Sequence, residues 1–402
     1  MKKIKFFILL LFIVLSTGCK NKSTTNTSDD IPYWLEDYAD IYKEDRREAS
    51  KAWFRDAKFG LFVHLNLASL CENGKADYLL WADGKAPDRL LDYVGYSREE
   101  YEAAEDKDEL LFRKYELKNF DADAICEMAR AAGMKYLNLT TIHLGRCYNF
   151  KTAQAGFNSL NAPCGRDLAG ELAEACKRHG LALFFYVPPE YAETKDEEQI
   201  RHNHAVLTEL LTQYGPVAGI WFDGIGPFYR NPENYTRTKE TFALVRKLQP
   251  HALVSFKEGG LCDEDFRSPE HFMLPIDYEF DTPERQERFN LRKERWQTNN
   301  NERWEECGQY MLREVNTVMQ ECFGRDGKHV RSGWINDESA RHLTADEVYD
   351  WLTYSRYTGS NMLMNIGPRA DGSIHPDDLH ALTEMGEMIR EKGWPELHNE
   401  VK

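Results

Sequence analysis

Along most of this chain, a helix-length segment is followed by a glycine or proline and then by a short, almost wholly apolar run. Asp121–Ala132 reads as a helix with Asp121 as N-cap and Gly133 as its stop, and Lys135–Thr140 follows as a strand. Arg166–His179, Gly180 and Leu181–Val187 repeat the order. So do a helix ending over Thr208–Tyr214, the Gly215-Pro216 break and Val217–Phe222. A helix over Thr236–Leu248 stops before Pro250 and leads into the strand Ala252–Phe256. Phe59–Val63 is an earlier strand, and Ala345–Tyr357 and Asn361–Ile366 are a late helix and strand. Pro376–Lys392 is a last amphipathic helix. Strands this continuously apolar, alternating with helices, imply a parallel sheet covered on both faces.

Two architectures satisfy that order, a doubly wound sheet and a (β/α)8 TIM barrel. No G-x-G-x-x-G or G-x-x-x-x-G-K-[ST] follows any strand, which removes the usual nucleotide-binding reason for the first. The chain's 402 residues suit a barrel forming one domain. A barrel places its chemistry just beyond the C-terminal ends of several strands. The unusual polar residues fall there: His64, His143, Tyr186, Asp223 and Asn365. The sharpest local signal is Trp221-Phe222-Asp223-Gly224, in which an apolar strand delivers a carboxylate to the barrel mouth. Such a carboxylate can attack an anomeric carbon with a second carboxyl about 5–5.5 Å away as acid/base, or it can simply cap a loop.

Composition narrows the partners. Lysine and arginine number 51 against 67 acidic residues, for a formal net charge of −16. A balance this acidic argues against a nucleic-acid phosphate backbone as partner, which needs a basic patch. His202-x-His204 has metal-like spacing, but residues two apart on a helix face different ways, so no metal site is expected. Trp81, Trp221, Trp296 and Trp334 are candidate stacking platforms for a sugar, although in a chain this size most aromatic residues are simply core.

The N-terminus reads as an export signal. Lys2, Lys3 and Lys5 precede the apolar run Phe6–Leu15, which is too short to span a bilayer. Ser16-Thr17-Gly18-Cys19 then resembles a bacterial lipoprotein cleavage site, which implies lipid attachment at Cys19. Removing residues 1–18 leaves 48 basic residues against 67 acidic ones, a balance of −19. The expected organisation is a signal peptide over 1–18, a flexible tether over 19–45 and a catalytic domain over 46–402. The membrane is then met only through the lipid anchor, at the cell envelope.

Five segments carry a wider likeness. Trp53–Phe62 with His64, Phe120–Ala132 with Gly133 and Tyr136, Asp167–Cys176, Trp221–Gly224 and Asn361–Gly372 occur in an order that resembles glycoside hydrolase family 29, the α-L-fucosidases. The resemblance spans roughly residues 50–390. It implies a (β/α)8 catalytic barrel and retaining, exo-acting hydrolysis of terminal α-L-fucosyl residues through a covalent glycosyl-enzyme. It requires no metal or organic cofactor, and the expected partner is a fucosylated glycan. Asp223 matches the nucleophile and His64 a sugar-contacting histidine. His143, Tyr186 and Trp221 complete the expected sugar-binding set.

Three departures stand out. Where the family carries paired histidines, this chain reads His143-Leu144-Gly145-Arg146-Cys147, and Leu144 can neither donate nor accept a hydrogen bond. Leu65-Asn66 replace the Trp-Gly that usually follows the first histidine. Only 37 residues follow Asn365, room for the last helix but not for a C-terminal β-sandwich.

The acid/base has several candidates. Trp304-Glu305 resembles a Trp-Glu found in some members. However, Glu302–Met319 has helical spacing at Trp304, Met311, Val315 and Met319, which makes Glu305 and Glu306 candidates for a solvated face. Glu270 ranks level with Glu305, and Glu258 comes third. Three readings follow: an α-L-fucosidase, a related retaining glycosidase preferring another sugar, and a catalytically silent carbohydrate-binding relative.

Overall fold

The structure, a computed structural model, describes residues 30–72, 88–143, 146–193, 196–223, 235–257, 263–271, 283, 311–321 and 333–395. Eight parallel strands close into a barrel in chain order. They are β1 (Phe59–Val63), β2 (Tyr136–Thr140), β3 (Ala182–Val187), β4 (Gly219–Phe222), β5 (Leu253–Phe256), β6 (Phe266–Arg267), β7 (Leu312–Val318) and β8 (Asn361–Ile366). The last strand returns to the first, with Phe62 opposite Asn365. The helices are α1 (Ala39–Glu44), α2 (Arg46–Ala57), α3 (Asp88–Val94), α4 (Arg98–Ala103), α5 (Lys107–Phe112) and α6 (Ala122–Ala131). They continue as α7 (Leu168–His179), α8 (Glu190–Glu193), α9 (Glu197–Gln213), α10 (Tyr235–Leu248), α11 (Ala345–Tyr357) and α12 (Pro376–Lys392).

Local chemistry fixes the helix ends. The Asp121 carboxylate accepts from the Ala124 amide and starts α6, and Asp167 does the same for α7 through Gly170. Gly180, at φ 68°, ends α7 in the left-handed conformation that a side chain would strain.

The pleat then sorts the strand residues. Leu61, Leu137, Leu139, Phe185, Ile220 and Phe222 pack outward in the layer shared with the helices. Phe62, Tyr136, Phe184, Trp221, Phe266 and Leu363 fill the barrel. Gly60 is required by that filling, because a Cβ there would lie 2.4 Å from the Tyr136 ring.

Helix α2 plugs the end where the strands begin. Phe54 packs on Phe266 with ring centroids 4.4 Å apart, and Trp53 stacks on Phe184. Arg47 Nε reaches buried Asp265 at 2.5 Å. Each buried aromatic contributes roughly 1.5–3 kcal/mol by burial.

Two expectations change. Residues 33–44, placed in the tether, are helical, and Trp34, Leu35 and Tyr42 are buried. Ile31–Lys402 accordingly forms one compact unit. Apolar aromatics of this kind order a segment that polar residues alone would leave free. The helical spacing read over Glu302–Met319 is also overturned where the structure describes it, because Leu312–Val318 is β7. Its barrel-facing positions hold Glu314 and Asn316, so the strand shows no apolar run.

Candidate active site

The strands deliver their polar residues to one mouth. Asp223 directly follows β4, and its amide donates to Val187 O at 3.0 Å, so strand pairing continues to it. Tyr186 of β3 donates its hydroxyl to Asp223 Oδ2 at 2.8 Å. Lys257, the residue after β5, places Nζ 3.2 Å from Asp223 Oδ1 and 2.5 Å from Glu270 Oε1. The two oxygens therefore lie no farther apart than those distances combined, about 5.7 Å. Glu270 follows β6 and bridges to Asn316 of β7. Its side chain is 35% exposed against 21% for Asp223, so both remain open to a ligand.

Histidines and aromatic rings wall the same space. His64 is buried, and its Nδ1 lies 2.6 Å from Asn365 Oδ1. The Asn365 amide is oriented by donating Nδ2 to Trp334 O, so its oxygen faces His64 and the imidazole donates from Nδ1. Burial, followed by the neighbouring His143, pushes His64 well below the usual histidine value, so it is neutral. The Asn66 amide donates to His143 Nδ1 at 2.9 Å, which puts a neutral His143's proton on Nε2. The Tyr186 and Trp221 rings stack with centroids 5.6 Å apart. Trp334 lies 5.0 Å from His64, centroid to centroid.

A second carboxyl lies deeper. Glu314 of β7 is buried and accepts from Tyr136 Oη at 2.5 Å, Ser268 Oγ at 2.6 Å and Trp221 Nε1 at 3.1 Å. Burial pushes its carboxyl up to about 7, against the pull of those three donors. Glu190, the first residue of α8, is also raised, first by desolvation and then by the Asp223 charge.

The structure thus gathers His64, His143, Tyr186, Trp221, Asp223, Glu270 and Asn365 at one mouth. Leu144, Glu258, Glu305, Trp81, Trp296 and Cys19 lie outside the described residues. His202 and His204 bond separately to Tyr148 and Thr241. Sequence reasoning missed Asn66, Lys257 and Glu314. Lys257 had a usable signal, since it follows its strand just as Asp223 follows β4.

Paired carboxyls within reach of each other, at a barrel mouth walled by aromatic rings, are the equipment of a glycoside hydrolase. Residues 35–394 match the family model described as Alpha-L-fucosidase, and the chain belongs to that family. It is similar to the plasma alpha-L-fucosidase of Homo sapiens, at 25% identity over 377 residues, which cover 85% of this chain and 68% of the relative. The tissue alpha-L-fucosidase of Mus musculus is 26% identical over 360 residues, covering 85% and 70%. Alpha-L-fucosidase isoenzyme 1 from Paenibacillus thiaminolyticus shares the fold with a TM-score of 0.63 at 24% identity, covering 87% of this chain and 77% of that one. Alpha-L-fucosidase AlfC from Lactobacillus casei, solved in complex with alpha-L-fucose product, gives 0.60 at 19% identity, covering 85% and 98%.

Proposed function

We propose that this glycoside hydrolase is a retaining, exo-acting α-L-fucosidase that removes terminal α-L-fucosyl residues from glycans. Asp223 attacks the anomeric carbon while Glu270 gives a proton to the departing glycosidic oxygen. The bond to the aglycone breaks and an Asp223–sugar ester forms. Glu270, now ionised, takes a proton from water as that water attacks the ester, and fucose leaves with its starting configuration. The observation that carries this reading is the Asp223–Lys257–Glu270 contact. Its upper bound of about 5.7 Å, between one oxygen of each carboxyl, is close to the roughly 5–5.5 Å of a retaining pair and suits a direct nucleophile. Neutral His64, with Nδ1 committed to Asn365, offers Nε2 as an acceptor. His143 offers Nε2–H as a donor, and sugar hydroxyls use both.

Asp223→Ala leaves a folded protein without turnover on an aryl α-L-fucoside, and added azide restores release as the inverted fucosyl azide. Glu270→Ala with azide yields the retained azide instead. Full activity in folded Asp223→Ala refutes the nucleophile, and absence of azide product from Glu270→Ala refutes the acid/base.

Leu144 favours a second reading, a retaining glycosidase with another sugar preference, because one family histidine is missing. A panel of aryl glycosides separates the two, and binding without turnover identifies a silent relative. We place the enzyme at the cell envelope on a lipid anchor at Cys19, a reading supported by the basic, apolar and small-residue order of the N-terminus.

A further inference from the structure

Inside the barrel, Glu314 is a carboxyl where Phe62, Phe184 and Leu363 set the pattern. It is 1% exposed, and its three donors come from three places on the wall: Tyr136 on β2, Trp221 on β4 and Ser268 just after β6. Asn316, two residues along β7 on the same face, donates to Ser268 O at 2.5 Å and Oγ at 3.1 Å. In extended chain, residues two apart face the same side. Asp223 is two residues beyond Trp221, and Glu270 is two beyond Ser268. Glu314 therefore holds the position immediately below each member of the pair. Burying a carboxyl is costly unless it is well bonded, so apolar filling would stabilise this layer more simply.

We infer that Glu314 is a positioning residue. By tying Trp221 to Ser268 it sets the spacing between Asp223 and Glu270 one level above. The inference rests on the roles proposed for those two residues. Displacing a reacting group by about 1 Å costs on the order of a hundredfold in rate. A strut holding two strands at fixed separation acts on that distance directly. Loss of the Ser268 leg should disturb Glu270 more than Asp223, since Ser268 lies two residues before Glu270 on the same run of chain, whereas Asp223 follows β4 and keeps the Tyr186 hydroxyl.

The test is a series of aryl α-L-fucosides whose leaving groups run from acidic nitrophenols to weakly acidic phenols. Poor leaving groups need the acid's proton; activated ones do not. Ser268→Ala removes the β6 leg and the longer of the two Asn316 contacts, and leaves Asn316 bonded to Ser268 O. It should lower kcat/KM about tenfold to a hundredfold on the poorest leaving groups and clearly less on the most activated, steepening the dependence on leaving-group acidity. Glu314→Ala should steepen it further. Glu314→Gln, which keeps an acceptor, should recover most of the loss. A general loosening of the fold would lower all substrates alike. If Glu314→Ala fails to fold, Ser268→Ala decides. If Glu270→Ala steepens the dependence and Ser268→Ala leaves the wild-type slope, the strut is refuted while the role of Glu270 stands. If Glu270→Ala itself leaves the slope unchanged, the acid/base assignment fails and the strut falls with it.

Discussion

Replacing Glu314 by glutamine should reverse part of the pH dependence of stability. In the folded chain burial lifts this carboxyl from 4.5 to about 7, and Tyr136 is the titratable side chain in contact with it. Between those values the folded state keeps a proton that the unfolded state gives up. Stability therefore falls as pH rises through that window, and the full penalty is present above about 7. A displacement of this size corresponds to about 3 kcal/mol. Because Glu314 is 1% exposed, solvent screening does not reduce it. Glutamine has no charge to lose. Its oxygen can accept from Trp221 and Ser268, and its amide can donate to the Tyr136 hydroxyl after that hydroxyl rotates. Urea unfolding of both proteins at pH 5 and pH 8 measures the effect. Because pH 5 already lies above the unfolded value of 4.5, part of the penalty is present there, and the stability difference, variant minus wild type, should grow by roughly 2–3 kcal/mol between the two pH values. A difference that stays constant within the error of extrapolation would show that Glu314 titrates normally and would refute the reasoning.

Three further outcomes follow from the site and the N-terminus. Tyr186→Phe removes the hydroxyl donated to Asp223, and a hydrogen bond to a charged group is worth about 1.5–3 kcal/mol, so kcat/KM should fall about tenfold to a hundredfold with the fold intact. Leu144→His should raise kcat/KM for an α-L-fucoside about threefold to tenfold relative to the wild type's preferred sugar, and an unchanged ratio in a folded variant would remove Leu144 from the sugar site. Cys19→Ser should release active protein from membranes on fractionation, and undiminished membrane association would refute lipid attachment there.

The fold was legible wherever a strand was apolar along its whole length. β1, β8, α11 and α12 have the limits that periodicity and capping predict, and β2 to β5 differ by one or two residues at their starts. β6 and β7 were not legible, and the reason is chemical. In its described span β6 is only Phe266–Arg267, too short for a pattern. In β7 the barrel-facing residues include Glu314 and Asn316, so alternation carries polar groups on the buried side, the opposite of what a reader of hydrophobicity expects. The helical spacing of Met311, Val315 and Met319 then offered a false alternative.

The site divides along the same line. Residues at the mouth betray themselves because each is an abrupt polar residue after an apolar run: His64 after Val63, Asp223 after Phe222, Lys257 after Phe256. Their partnership depends on the order of strands around the barrel, and sequence gives that order only through the fold. Once β4, β5 and β6 are known to be neighbours, Lys257 must stand between Asp223 and Glu270, as the contacts at 3.2 Å and 2.5 Å record. Glu314 has no such signature. Its donors lie 178, 93 and 46 positions away in the chain, so nothing local marks it as bonded. The layer that fixes the reacting groups is thus the layer least visible in the sequence. A polar residue at the mouth can exchange with solvent and needs few partners, whereas the Glu314 carboxyl, shut off from water, draws its donors from β2, β4 and the end of β6.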